Sequence, residues 1–181
     1  MYFENTGREN TEKTVELAVN TARERGIRHI VVASNSGYTA GLLKDADDLE
    51  AVCVTHVNGF VQPGQNEMPE DVRRQLMESG IKVLTTTHVL SGAERAMSRK
   101  FGGTYPVEIM AHTLRMLGQG VKVCVEIAVM ALDAGLIPYG QPVIAIGGTG
   151  RGADTAVILT PSHASSILDT RIHEIICKPY L

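Results

Sequence analysis

Tryptophan is absent from the 181 residues, and Phe, Trp and Tyr together make up only 4%. Large aromatic anchors therefore contribute little here. Basic surplus is also lacking: 17 Lys and Arg stand against 20 Asp and Glu, for a formal charge of −3. Nothing is left over to neutralise a nucleic-acid backbone, so such a partner is not expected. Cysteine is scarce and odd in number. Cys53, Cys124 and Cys177 form no CxxC and sit among apolar neighbours, as buried small hydrophobes do in a reducing compartment. No run approaches the roughly 18 apolar residues of a membrane span. The opening Met-Tyr-Phe-Glu-Asn-Thr-Gly-Arg lacks the basic and apolar regions of a signal peptide. A cytoplasmic, soluble protein with no membrane partner is expected. The six histidines show neither HxH nor HExxH spacing, so no metal site is expected. A nucleophile elbow and a P-loop are likewise missing.

What the chain does have is glycine, 18 residues in all, with 44% hydrophobic and 20% charged residues. That balance is typical of a folded domain, and the length suits one domain over residues 1–181.

Apolar spacing at Val15, Ala18, Val19 and Ala22 predicts a helix capped by Asn10 and ended by Gly26. His29–Ala33, Glu50–Thr55 and Ile81–Thr85 read as strands, with helices starting at Tyr38 and Pro69 between them. Ser91 and Glu94 have capping-box spacing before a short helix, and Pro106 opens another that runs to about Gly118. Nearly every residue of Val121–Leu132 is apolar, and the run is too long for a common strand, which favours a buried helix. Gln141–Ile146, Thr155–Leu159 and Arg171–Cys177 read as strands. The alternation implies an α/β fold with a mostly parallel sheet and helices on both faces.

In such sheets ligands sit beyond the carboxyl ends of the strands. Four segments fall there. Ser34, Asn35, Ser36, Gly37, Tyr38 and Thr39 bring hydroxyls and free N–H groups that can hold a phosphate without Lys or Arg. Gly147, Gly148, Thr149, Gly150, Arg151, Gly152 and Asp154 follow a strand. Gly148–Ala153 matches the dinucleotide fingerprint formally, but a strand-like run comes next instead of a helix. The loop reads instead as an anion nest to which Arg151 adds charge. His56, Asn58, Gly59 and Phe60 offer rings and amides to a flat polar ligand, or else form a turn packed by its own aromatic. His88 and Ser91 can face the same ligand, although capping alone accounts for Ser91. Glu126, in an apolar run, is expected to accept a hydrogen bond from a neighbouring loop. Arg95, Arg99 and Lys100 read as a solvated basic face.

Taken in order, Gly7–Glu12, Val31–Ser34, Thr55–Phe60, Leu90–Gly92, Lys122–Ile127 and Arg151–Ala156 give the chain a family resemblance. It resembles the stand-alone pyruvate kinase C-terminal domain-like proteins of archaea. The resemblance implies a three-layer α/β/α fold, the pyruvate kinase C-terminal domain-like architecture. It also implies a phosphate-binding loop at Ser34–Thr39, with Gly147–Gly152 as a second ligand loop. Members of the family are associated with flavin mononucleotide (FMN), so the resemblance implies FMN as cofactor. A sugar phosphate recognised by a non-catalytic sensor is the alternative. A homo-oligomer is compatible with either reading.

Overall fold

The computed structural model describes residues 1–180. Seven strands form one sheet in the order β1-β7-β6-β5-β2-β3-β4. They are β1 (Tyr2–Phe3), β2 (His29–Ala33), β3 (Glu50–Val54), β4 (Lys82–Leu84), β5 (Val143–Gly147), β6 (Thr155–Thr160) and β7 (Arg171–Pro179). The helices are α1 (Thr11–Arg25), α2 (Tyr38–Gly41), α3 (Glu70–Glu78), α4 (Gly92–Phe101), α5 (Pro106–Arg115) and α6 (Gln119–Asp133). Pairing is parallel for β1–β7, β2–β3, β2–β5 and β3–β4, and antiparallel for β5–β6 and β6–β7. The expected mostly parallel sheet is thus present.

Residues of each central strand alternate between two cores, as the pleat dictates. Ile30, Val32, Ile144, Ile146 and Ile158 pack with Val15, Ala18 and Ala22 of α1. Val31, Val143, Ala145, Val157 and Leu159 pack with Val121, Cys124, Val125 and Ala128 of α6. The result is the three-layer α/β/α arrangement. It also explains why strands covered on both faces read as unbroken apolar runs. The apolar stretch Val121–Leu132 is core: apart from Val123 it is buried, facing the sheet. The three thiols are buried and unpaired, and burial pushes the Cys53 thiol up to about 12, leaving them as inert packing groups. No helix among the described residues is long and apolar enough to cross a membrane.

Two capping expectations fail. The Asn10 side chain turns away from α1 and donates to the Asn5 carbonyl at 2.8 Å. Ser91 makes no side-chain cap bond, because its partner Glu94 is used elsewhere: Glu94 Oε2 accepts the Glu108 N–H at 3.1 Å, serving the start of α5. The competing tertiary contact wins over the local box.

Sheet order positions the site. From β2 the chain moves outward through β3 and β4, then returns to place β5 on the other side of β2. The gap between the carboxyl ends of β2 and β5 is a topological switch point, where the loops on either side diverge and leave a crevice.

Candidate functional site

A cavity of about 750 Å³ opens at that switch point, a size within the ordinary range of small-molecule sites. Its walls carry Ser34, Asn35, Ser36, Tyr38 and Thr39 after β2, His56 and Phe60 after β3, and His88 after β4. Gly148, Gly150, Arg151 and Gly152 follow β5, and Gln119, Lys122 and Glu126 of α6 form the remaining wall. The four segments picked out in the sequence therefore meet in space, with some members excluded.

Gly37 does not line the cavity. Its φ is +87°, and a Cβ there would stand 2.4 Å from Val72 of α3, so glycine is needed for a close approach. Asn58 and Gly59 secure their own turn: Asn58 Oδ1 accepts from Asn66 Nδ2 at 2.9 Å, and the Gly59 N–H donates to the Gln65 carbonyl at 2.8 Å. Ser91 also lies outside the lining.

The glycine loop needs a different explanation from the one its composition suggests. A Cβ on Gly147 would lie 2.8 Å from the Gly120 carbonyl, one on Gly148 2.5 Å from the Gly152 carbonyl, and one on Gly152 2.6 Å from Arg8 Cα. These glycines let backbones touch. Asp154 is the knot of the loop. Fully buried, its Oδ2 accepts the N–H groups of Gly7 at 2.9 Å and Thr149 at 3.1 Å, while Oδ1 accepts the Thr155 hydroxyl at 2.8 Å. Thr149 and Asp154 thus shape the loop and stay out of the cavity wall. Among the described residues, the N–H groups of Gly150, Arg151 and Gly152 make no hydrogen bond, which leaves them for a ligand.

Charge is where the structure departs most from the sequence reading. The phosphate-holding wall was expected to work without Lys or Arg. Beyond the expected Arg151, the residues Arg8, Arg95, Arg115 and Lys122 also line the cavity, against the two carboxylates Glu67 and Glu126. Arg8 lies 4.6 Å from the Tyr38 ring centroid, in cation–π range. Arg95 of the supposedly solvated face is a wall residue. Glu126 does accept the expected loop hydrogen bond, from the Leu90 N–H at 2.9 Å, and its other oxygen holds Lys122 in a buried ion pair.

Three rings form a platform at the ends of β3 and β4. His56 and Phe60 stack with centroids 3.7 Å apart, and His88 lies 5.4 Å from His56 and 5.6 Å from Phe60. His56 Nδ1 meets Glu67 Oε2 at 2.6 Å, and Nε2 lies 3.1 Å from Asn35 Nδ2. With Nδ1–H given to the carboxylate, Nε2 accepts from the amide, and the ring is fixed. His88 Nε2 accepts the Val57 N–H at 3.4 Å. Burial holds the His88 pKa below its ordinary 6.5; Glu126 opposes this, and His56, Lys122 and Arg95 reinforce it. The unfolded chain therefore takes up this proton first as pH falls. The corresponding stability is fully present above pH 6.5 and is lost below it. Denaturant melts at falling pH are expected to show that loss, and His88→Gln to flatten it.

The family model described as "Pyruvate kinase, alpha/beta domain" matches residues 12–159. The chain belongs to this pyruvate kinase alpha/beta domain family. Similar solved structures include a pyruvate kinase from Cryptosporidium parvum, 17% identical over 75% of this chain and 20% of the other, at a TM-score of 0.39. Another is a Cryptosporidium parvum pyruvate kinase in complex with ADP, 15% identical over 81% of this chain and 22% of that one, at a TM-score of 0.40. The chain thus spans about a fifth of the length of those enzymes.

In this member of the pyruvate kinase alpha/beta domain family, sequence reasoning missed Arg8, Arg115, Gln119 and Lys122. One signal was available for Lys122. It lies four residues before Glu126 in an otherwise apolar helix, the spacing that stacks a lysine on a carboxylate.

Proposed function

We propose that this cavity binds a phosphorylated small molecule, with FMN the first candidate. The observation that carries the reading is the convergence of four arginines, Lys122, the hydroxyl-bearing residues Ser34, Ser36 and Thr39 and a ring platform on one cavity. The phosphate would rest on those hydroxyls and the unbonded N–H groups of Gly150–Gly152, with Arg8 and Arg151 supplying charge-assisted bonds. A flat ring would lie against His56 and Phe60, the latter 44% exposed. Bound flavin supplies electron-transfer chemistry, and the protein's share is to hold and orient it.

A sugar phosphate is the second reading. Arg95, Arg115 and Lys122 favour it, because they make part of the wall polar and cationic, not ring-shaped. A thermal-shift series with FMN and sugar phosphates tests both, since a ligand specific for the folded state raises the melting temperature. A shift with FMN supports the first reading, a shift with sugar phosphates alone supports the second, and no shift with any of them refutes the proposal.

Ser36 is exposed, so changing it spares the fold. Ser36→Asp is expected to weaken binding about 100-fold by removing a donor and adding like charge, and Ser36→Ala about 10-fold. Isothermal titration of each variant measures this.

A further inference from the structure

We propose that Lys122 is an imine-forming amine and that the ligand it takes is a phosphorylated aldehyde or ketone. The inference rests on the phosphorylated-ligand reading above and names a substrate class for the same cavity.

Lys122 is the only buried lysine among the described residues, 5% exposed, and it borders the cavity. Its five counterparts, Lys13, Lys44, Lys82, Lys100 and Lys178, line no part of it. A buried lysine is costly unless it is paired, and among the described residues Glu126 is its one hydrogen-bond partner. The surroundings ease loss of the proton that an amine must give up before it attacks a carbonyl. Burial lowers the Lys122 pKa, and Arg115 and Arg95 lower it further, while the contact with Glu126 resists. Glu126 is held in place by the Leu90 N–H on its second oxygen, which leaves the first in contact with Nζ.

The step balances with no further reactant. The Nζ lone pair adds to the carbonyl carbon, forming a C–N bond as the C=O π bond breaks. Glu126 carries two protons in turn from nitrogen to the carbonyl oxygen: the first gives the carbinolamine, and the second lets the hydroxyl leave as water. As the C–O bond breaks, the nitrogen lone pair closes the C=N bond, and an imine remains. Sugar phosphates carry such a carbonyl in their open-chain form. The hydroxyl and glycine loops would hold the phosphate while Lys122 takes the other end.

Pyridoxal 5′-phosphate is a suitable probe, being a phosphorylated aldehyde on a flat ring. The full chain is incubated with it, reduced with borohydride and mapped by peptide mass spectrometry. Label is expected at Lys122 at probe concentrations that leave the five surface lysines largely unmodified. Excess inorganic phosphate should suppress it. Lys122→Arg should abolish it, and Glu126→Gln should slow it about 10-fold or more while melting temperature confirms folding. Label confined to surface lysines, or spread evenly over all six, overturns the proposal without touching the thermal-shift result. Equal labelling by pyridoxal lacking the phosphate overturns the assigned substrate class. If thermal shifts with phosphorylated ligands are also absent, the phosphorylated-ligand reading itself has failed.

Discussion

Asp154→Ala is expected to destabilise the protein by about 3–5 kcal/mol, the largest effect of any single exchange in the glycine loop. The carboxylate accepts three hydrogen bonds, from Gly7, Thr149 and Thr155, and is wholly shielded from water. Its removal strands two backbone donors that have no other acceptor. For a chain of this length the melting temperature should fall by roughly 10 °C. Asp154→Asn keeps acceptor oxygen but loses the charge, and should cost about half as much. Because the same carboxylate ties the segment before α1 to the loop after β5, ligand affinity should fall alongside stability. Denaturant midpoints for the two variants check the ranking. An Asp154→Ala protein within about 1 kcal/mol of the parent would show that the knot is not structural.

Lys122→Met should cost about 3–5 kcal/mol, since Glu126 is left as a buried, uncompensated charge. Adding Glu126→Gln should recover most of that loss, to within about 1–2 kcal/mol of the parent. The amide remains an acceptor for the Leu90 N–H, and no charge needs a partner. The double variant being more stable than the single one is the decisive sign, read from urea melts of the full set. It separates the stability of the pair from its chemistry. A pair kept only for stability would be poorly explained if its neutral replacement folds equally well.

The fold was legible where local signals and tertiary packing agree. His29–Ala33 reads as a strand because both its faces are covered, and Gly26, with φ +66°, stops α1 where the periodicity ends. Length alone identified Val121–Leu132 as part of a helix, and the buried face of α6 shows why nearly every residue there is apolar. β1 carried no signal. Two residues form it, and their partners Lys178 and Pro179 lie at the far end of the chain. Capping fails at Asn10 because its side chain turns back to Asn5, and at Ser91 because Glu94 serves the start of α5 instead.

Much the same division holds for the site. The loops after β2, β3, β4 and β5 were found because they are rich in hydroxyls, rings and glycine. The cations were not, because Arg8, Arg95, Arg115 and Lys122 come from separate elements and converge only once the sheet is assembled. Glycine in the loop after β5 pointed to the right place for an incomplete reason. Gly147, Gly148 and Gly152 permit backbone contact, and only Gly150 stands in open space.

Phosphate recognition is the central claim, and paired titrations of FMN and riboflavin against the full chain test it most directly. The two share the flavin ring, whose fluorescence reports binding, and differ by the phosphate. FMN is expected to bind at least about 10-fold more tightly, with the difference shrinking in Ser36→Asp and as salt screens Arg8 and Arg151. Equal affinities for the two would contradict phosphate recognition at this cavity.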